Sequence, residues 1–136
     1  MATYTKFQQF VEDLAHGVHN FDSDTIKVAL SSAANAPSAS ADAVLADITT
    51  VSTANLDDVT PTISSSGQTS GTYKLVLADL TMTASGAVGP FRYVILFNDT
   101  AASDPLICYF DYGSEVTLAN GDTFKLDFGT ELFSLA

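Results

Sequence analysis

Phe91-Arg92-Tyr93-Val94-Ile95-Leu96-Phe97 decides the class of this chain. Successive side chains of an extended strand point to opposite faces. That alternation puts Phe91, Tyr93, Ile95 and Phe97 on one face and Val94 and Leu96 on the other, so both faces are mostly apolar. Such a strand is predicted to lie in the middle of a sheet and to be covered on both sides. Gly86-Ala87-Val88-Gly89-Pro90 before it and Asp99 to Pro105 after it read as turns.

Working downstream, Leu106 to Asp111 predicts a second strand, Tyr112-Gly113-Ser114 a turn, and Val116 with Leu118 a short strand. Asn120-Gly121 then precedes Phe124, Leu126 and Phe128, which alternate with Thr123, Lys125 and Asp127; Asn-Gly between alternating segments predicts a hairpin. Upstream, Tyr73 to Ser85 is long for one strand, and the Asp79-Leu80 step predicts a bulge or bend where the chain changes sheets. Ser66 to Gly71 reads as a loop, and Leu45–Val51 and Thr60–Ser65 as short strands. Ile26, Val28 and Leu30 alternate with Thr25, Lys27 and Ala29 after a turn at Phe21 to Asp24. Roughly eight short strands with turns every ~8–12 residues match an antiparallel β-sandwich or jelly roll.

One segment departs from the strand pattern. Phe7, Phe10, Val11, Leu14 and Val18 fall on a single stripe of an α-helix, with Thr5 and Gln8 resembling a capping box. The predicted organisation is a single domain, 1–136, with a helix over 4–19, a β-sandwich over 25–136 and an extended loop at 31–43. Small residues fill that loop, and its ordering is expected to need a neighbouring subunit.

Composition narrows the function. A chain of 136 residues can bury roughly 68% of the surface its unfolded form exposes, so it needs no disulfide or metal to fold. Cys108 is the only cysteine and sits in the apolar run Leu106 to Phe110, where it reads as a small buried hydrophobe. The net charge is −11, and Lys6, Lys27, Lys74, Arg92 and Lys125 are scattered singly, which argues against nucleic acid and anionic membranes as partners. The N-terminal residues show no secretory signal pattern, and no run approaches the ~20 apolar residues of a membrane helix, so a soluble protein synthesised in a cytoplasm is expected.

Candidate chemical groupings are sparse. Glu12, His16 and His19 cluster on the predicted helix face opposite the phenylalanines, but no fourth metal ligand accompanies them. Asp57-Asp58, Asn98-Asp99 with Asp104, and Asn120 with Asp122 offer oxygen atoms without EF-hand spacing and read as turn formers. Asp111 and Glu115 flank a turn without other cleft residues. Neither a nucleophile elbow nor a phosphate-binding loop is present, and neither catalysis nor a cofactor is expected. Tyr93, Tyr109 and Tyr112 are candidates for stacking on a sugar or lining a protein interface.

The series Thr3-Tyr-Thr-Lys-Phe7 with Phe10-Val-Glu-Asp13, Asp24-Thr-Ile-Lys-Val-Ala-Leu-Ser31, Val44-Leu-Ala-Asp-Ile-Thr49, Ser66-Gly-Gln-Thr-Ser-Gly-Thr-Tyr-Lys-Leu75, Gly89-Pro-Phe-Arg-Tyr-Val94 and Asn98-Asp-Thr100 resembles the head decoration, or cement, proteins of tailed bacteriophages. The resemblance covers nearly the whole chain and is carried by structural motifs. It implies a homodimer or homotrimer made in the host bacterial cytoplasm and bound on the outer capsid surface of a virion, clamping neighbouring major capsid protein subunits. Under that reading Pro37, Leu56, Tyr109, Tyr112, Phe133 and Leu135 are the candidate interface residues. The competing expectation is a carbohydrate-binding jelly-roll module used for adhesion to host or other surfaces.

Overall fold

The computed structural model describes residues 2–136. They form a mainly β, antiparallel, sandwich-like fold with one α-helix near the N-terminus. The strands are β1 (Thr3–Lys6), β2 (Ile26–Ser31), β3 (Ile63–Thr69), β4 (Thr72–Leu77), β5 (Leu80–Thr83), β6 (Val88–Asn98), β7 (Leu106–Leu118), β8 (Thr123–Leu126) and β9 (Phe133–Leu135); the helix, α1, spans Gln8–Ala15. One layer is the sheet β1-β7-β6-β2, and the rest of the strands form the sheets β3-β4-β9 and β5-β8.

The pairings nest. β6 pairs with β7, β5 with β8 and β4 with β9, which is the connectivity of one long hairpin ribbon folded over on itself, a plan shared by jelly rolls. The chain changes sheets between Leu77 and Leu80, where the sequence predicted it. Asn120-Gly121 does turn the chain, but not into a hairpin of neighbours: β7 stays with β6 while β8 pairs with β5. Ala84 bonds this turn in both directions, donating to the Asp122 carbonyl and accepting from Gly121 N–H.

β6 is central, between β2 and β7, as its apolar faces require. Its two ends differ in phase. Phe91 pairs with Val116 and Tyr93 with Asp111, so two steps along β6 match five along β7. The excess residues of β7, Tyr112 to Glu115, bulge outward with Gly113 at φ +94°; the turn expected there is a bulge inside one long strand. The slip moves Phe91 off the Tyr93 face, so that its ring meets Phe124 of β8 at 5.2 Å. The opposite face presents Tyr93 and Tyr109, whose rings are 6.0 Å apart, and Phe7 packs on Tyr109 at 5.2 Å.

The N-terminal region departs most from expectation. Thr3–Lys6 is a strand on the edge of β7, and the helix is shorter than 4–19. Its N-cap is Phe7, so Thr5 forms no capping box; the Gln8 N–H instead donates to the Ala39 carbonyl. Phe7 and Phe10 are buried and Leu14 is partly so, whereas Val11 is exposed and Val18 lies beyond the helix. The expected extended arm at 31–43 is an ordered, hydrogen-bonded cover. Ser31 completes β2, a 3-10 turn follows at Ala33–Asn35 beside β6, Asp42 accepts from the Ser38 N–H, and Ala43 accepts from the Leu106 N–H. Leu45–Asp47 is a second 3-10 turn rather than a strand.

Candidate interaction surface

Along one side of the sandwich the layers part and leave an aromatic seam. Ala2, Val94, Phe110 and Tyr112 line one wall and Phe124, Leu126 and Phe128 the other, around about 420 Å³ of open groove. Phe110 and Phe128 also line a second groove of about 360 Å³, completed by Tyr4, Leu132 and Phe133, so the two grooves adjoin across these rings. Contacts across the seam are ring on ring: Tyr112 meets Phe124 at 5.3 Å and Phe110 meets Phe128 at 6.1 Å, while along one wall Tyr4 of β1 meets Phe110 at 5.5 Å. β1, β8 and β9, which flank these grooves, each border a single strand and so present one unpaired edge of N–H and C=O groups.

The seam forms because β8 is short and its chain leaves the layer at Asp127, while the β7 bulge lifts Tyr112 off the sheet. Tyr112 is 47% exposed and Leu135 on β9 is 55% exposed. Charge around the grooves is set by Lys125, which pairs with Asp79 at 3.5 Å, and by the carboxylates Asp127 and Glu131. Nearby, Arg92 holds Asp111 through two bonds, Nε to Oδ1 at 2.8 Å and Nη2 to Oδ2 at 3.1 Å. That guanidinium draws the Asp111 carboxyl below the usual carboxylate range, so Asp111 is held as the anion of an ion pair.

Of the residues picked from sequence, the structure brings Tyr112, Phe133 and Leu135 to the seam and its β9 border. Phe133 is also packed inward on Phe10 at 5.3 Å and Phe21 at 5.7 Å. Pro37 is buried, which removes it from the surface of the chain. Leu56 is partly buried and bridges to Ala84, and Tyr109 is half-covered by Phe7 on the face opposite Tyr112. Tyr4, Phe110, Phe124 and Phe128 were not singled out. The alternation of Phe124, Leu126 and Phe128 marked an apolar strand face, but nothing local in sequence tells that the facing layer stops short.

The oxygen-rich loops use their side chains on their own backbone. Asp57 accepts from the Thr83 N–H, Asp58 from Thr60, Asn98 from Thr100 and Ala101, and Asp122 from Ala119. His19 does not join Glu12 and His16 on a polar helix face: the helix stops at Ala15, and His19 turns inward to stack on Phe21 at 5.2 Å and meet Phe10 at 5.1 Å. Cys108 is fully buried, and burial pushes its thiol far above the ordinary value. No known protein family, curated protein or solved structure matches this chain.

Proposed function

We propose that this chain is a structural virion protein, a decoration protein that binds the outside of a tailed-phage head and strengthens contacts between major capsid subunits. Beside the sequence resemblance, the observation that supports this most is the aromatic seam bordered by unpaired strand edges. Such a groove suits an extended segment of a shell subunit, which adds backbone hydrogen bonds at a free edge and buries alternate side chains on the aromatic floor. The partner segment is apolar with flanking Lys or Arg. Three of the five basic side chains are already paired with carboxylates, at Lys27–Asp99, Arg92–Asp111 and Lys125–Asp79, and the net charge is −11. A homodimer or homotrimer engaging several such segments gains avidity from contacts that are individually weak.

The test is to mix the purified protein with mature heads lacking it, pellet them and count bound copies. Saturation at a number matching shell symmetry, with heads that withstand more heat, supports the proposal, and loss of binding in Tyr112→Ser assigns the seam. Absence of binding to expanded heads overturns it. Selective binding on a glycan array instead moves the reading to carbohydrate adhesion.

A further inference from the structure

Where the helix connection meets the end of β6, the buried Asn98 and His19 and the partly buried Asp24 are fastened together at the edge of the core. Asn98 is fully buried, and its Oδ1 accepts from the backbone N–H of Thr100 at 2.9 Å and of Ala101 at 3.1 Å. Two N–H donors fix that atom as the oxygen, so the amide cannot be turned round. Its Nδ2 therefore points at the Asp24 carboxylate, 2.7 Å away, and at His19 Nδ1, 3.0 Å away. Facing a donor, Nδ1 must be an acceptor, which leaves the ring proton on Nε2. That atom is buried and has no hydrogen-bond partner among the described residues.

We propose that His19 is an acid-released latch: it is held as the neutral Nε2–H tautomer by Asn98, and a proton on Nδ1 breaks one of the bonds that tie the 16–25 connection to the end of β6, beside those made by Asp24 and Thr25. A protonated Nδ1 sets donor against donor, and Asn98 cannot rotate to answer it without losing two backbone bonds. The rings on either side, Phe10 and Phe21, offer the cation no hydrogen-bond acceptor in place of water. The charged groups near the imidazole are Asp13 of α1 and Asp24 ahead of β2; both favour the cation, but burial outweighs them and holds His19 below the ordinary imidazole value. Part of Asp24 is already spent, since the same Oδ2 also accepts from the Asn20 N–H. The unfolded chain thus takes up the proton more readily than the native one, and stability falls as pH drops below about 6.5.

Long-range proton–nitrogen NMR of the imidazoles in uniformly labelled full-length protein tests this directly. At pH 8 the expected pattern is an unprotonated His19 Nδ1 and a protonated Nε2, with a titration midpoint below the ordinary imidazole value of about 6.5. A protonated Nδ1, or a His19 midpoint at or above about 6.5, overturns the proposal. Hydrogen exchange of α1 and residues 16–25 supplies the conformational arm: opening grows by up to about tenfold per pH unit below about 6.5, after correction for intrinsic exchange. His19→Gln, whose amide oxygen can still accept from Asn98, is expected to lose that extra dependence; retaining it sinks the latch. Should that variant fail to fold, the tautomer and midpoint of the unmodified protein still decide.

Discussion

The two ends of the β6–β7 pair are built from similar residues and end up in opposite circumstances. At one end Val94 to Phe97 and Leu106 to Cys108 are all buried. At the other, Tyr112 and Phe124 frame an open groove although the segments around them are as aromatic as any in the chain. The difference lies in neighbours. The first end has β2 on one side, β1 on the other and cover on both faces; the second has lost β1, bulges away from β6 and faces a two-stranded sheet. Apolar content says what a segment can bury, and topology says whether anything arrives to cover it.

The largest effect is expected where the two ends meet. Phe91 is fully buried against Phe124, and Phe91→Ala is predicted to cost about 3–5 kcal/mol in denaturant unfolding. A loss below about 1 kcal/mol would show that β6 does not anchor both layers. Gly89→Ala comes next, since at φ +107° the added Cβ sits 2.6 Å from the Val116 carbonyl oxygen. It is predicted to cost about 1–3 kcal/mol, and unchanged thermal stability would mean that the bulge yields freely. On the open side, Leu135→Ser is predicted to shift unfolding by no more than about 0.5 kcal/mol while reducing the copies retained on heads. Equal losses of stability and binding would erase the distinction between the two ends.

Acid gives the finest comparison. Arg92 lowers the Asp111 pKa, so this ion pair supports the fold above the unfolded carboxylate value of about 3.9 and is lost as pH falls through the lower folded value. Arg92→Gln is expected to flatten the acid limb of a stability–pH curve below about pH 4 and to leave the region near pH 6, where His19 acts, unchanged. Both groups are surface-screened or buried according to which end they occupy, and salt is predicted to weaken only the Arg92–Asp111 contribution.

The fold was legible wherever burial wrote a two-residue alternation. β2, the centre of β6, the start of β7 and the change of sheets before Leu80 follow from that pattern. β1 was hidden because Thr3 to Lys6 lies mostly exposed on a sheet edge, so its residues carry no core face and merge with the helix stripe that follows. The small-residue stretch after Ser31 looked unable to order because it has few side chains to bury; its hydrogen bonds to Gln8 and Leu106 use backbone groups, which composition does not record. His19 misled for a geometric reason: one helical turn of extrapolation past Ala15 put it on the wrong side. Half the seam was visible as tyrosine and phenylalanine at strand ends, and the pairing of its two walls was not, because they are brought together only by the rolled ribbon.

Cys108 turns the doubly covered centre into an instrument. Its sulfur lies opposite Leu96, completely enclosed, and its depressed acidity denies it the reactive thiolate in the native state. A thiol reagent can therefore find this protein only when β7 comes away from its neighbours. Because it is the only cysteine, the rate of its modification is a clock for opening of the centre, readable without any engineered label.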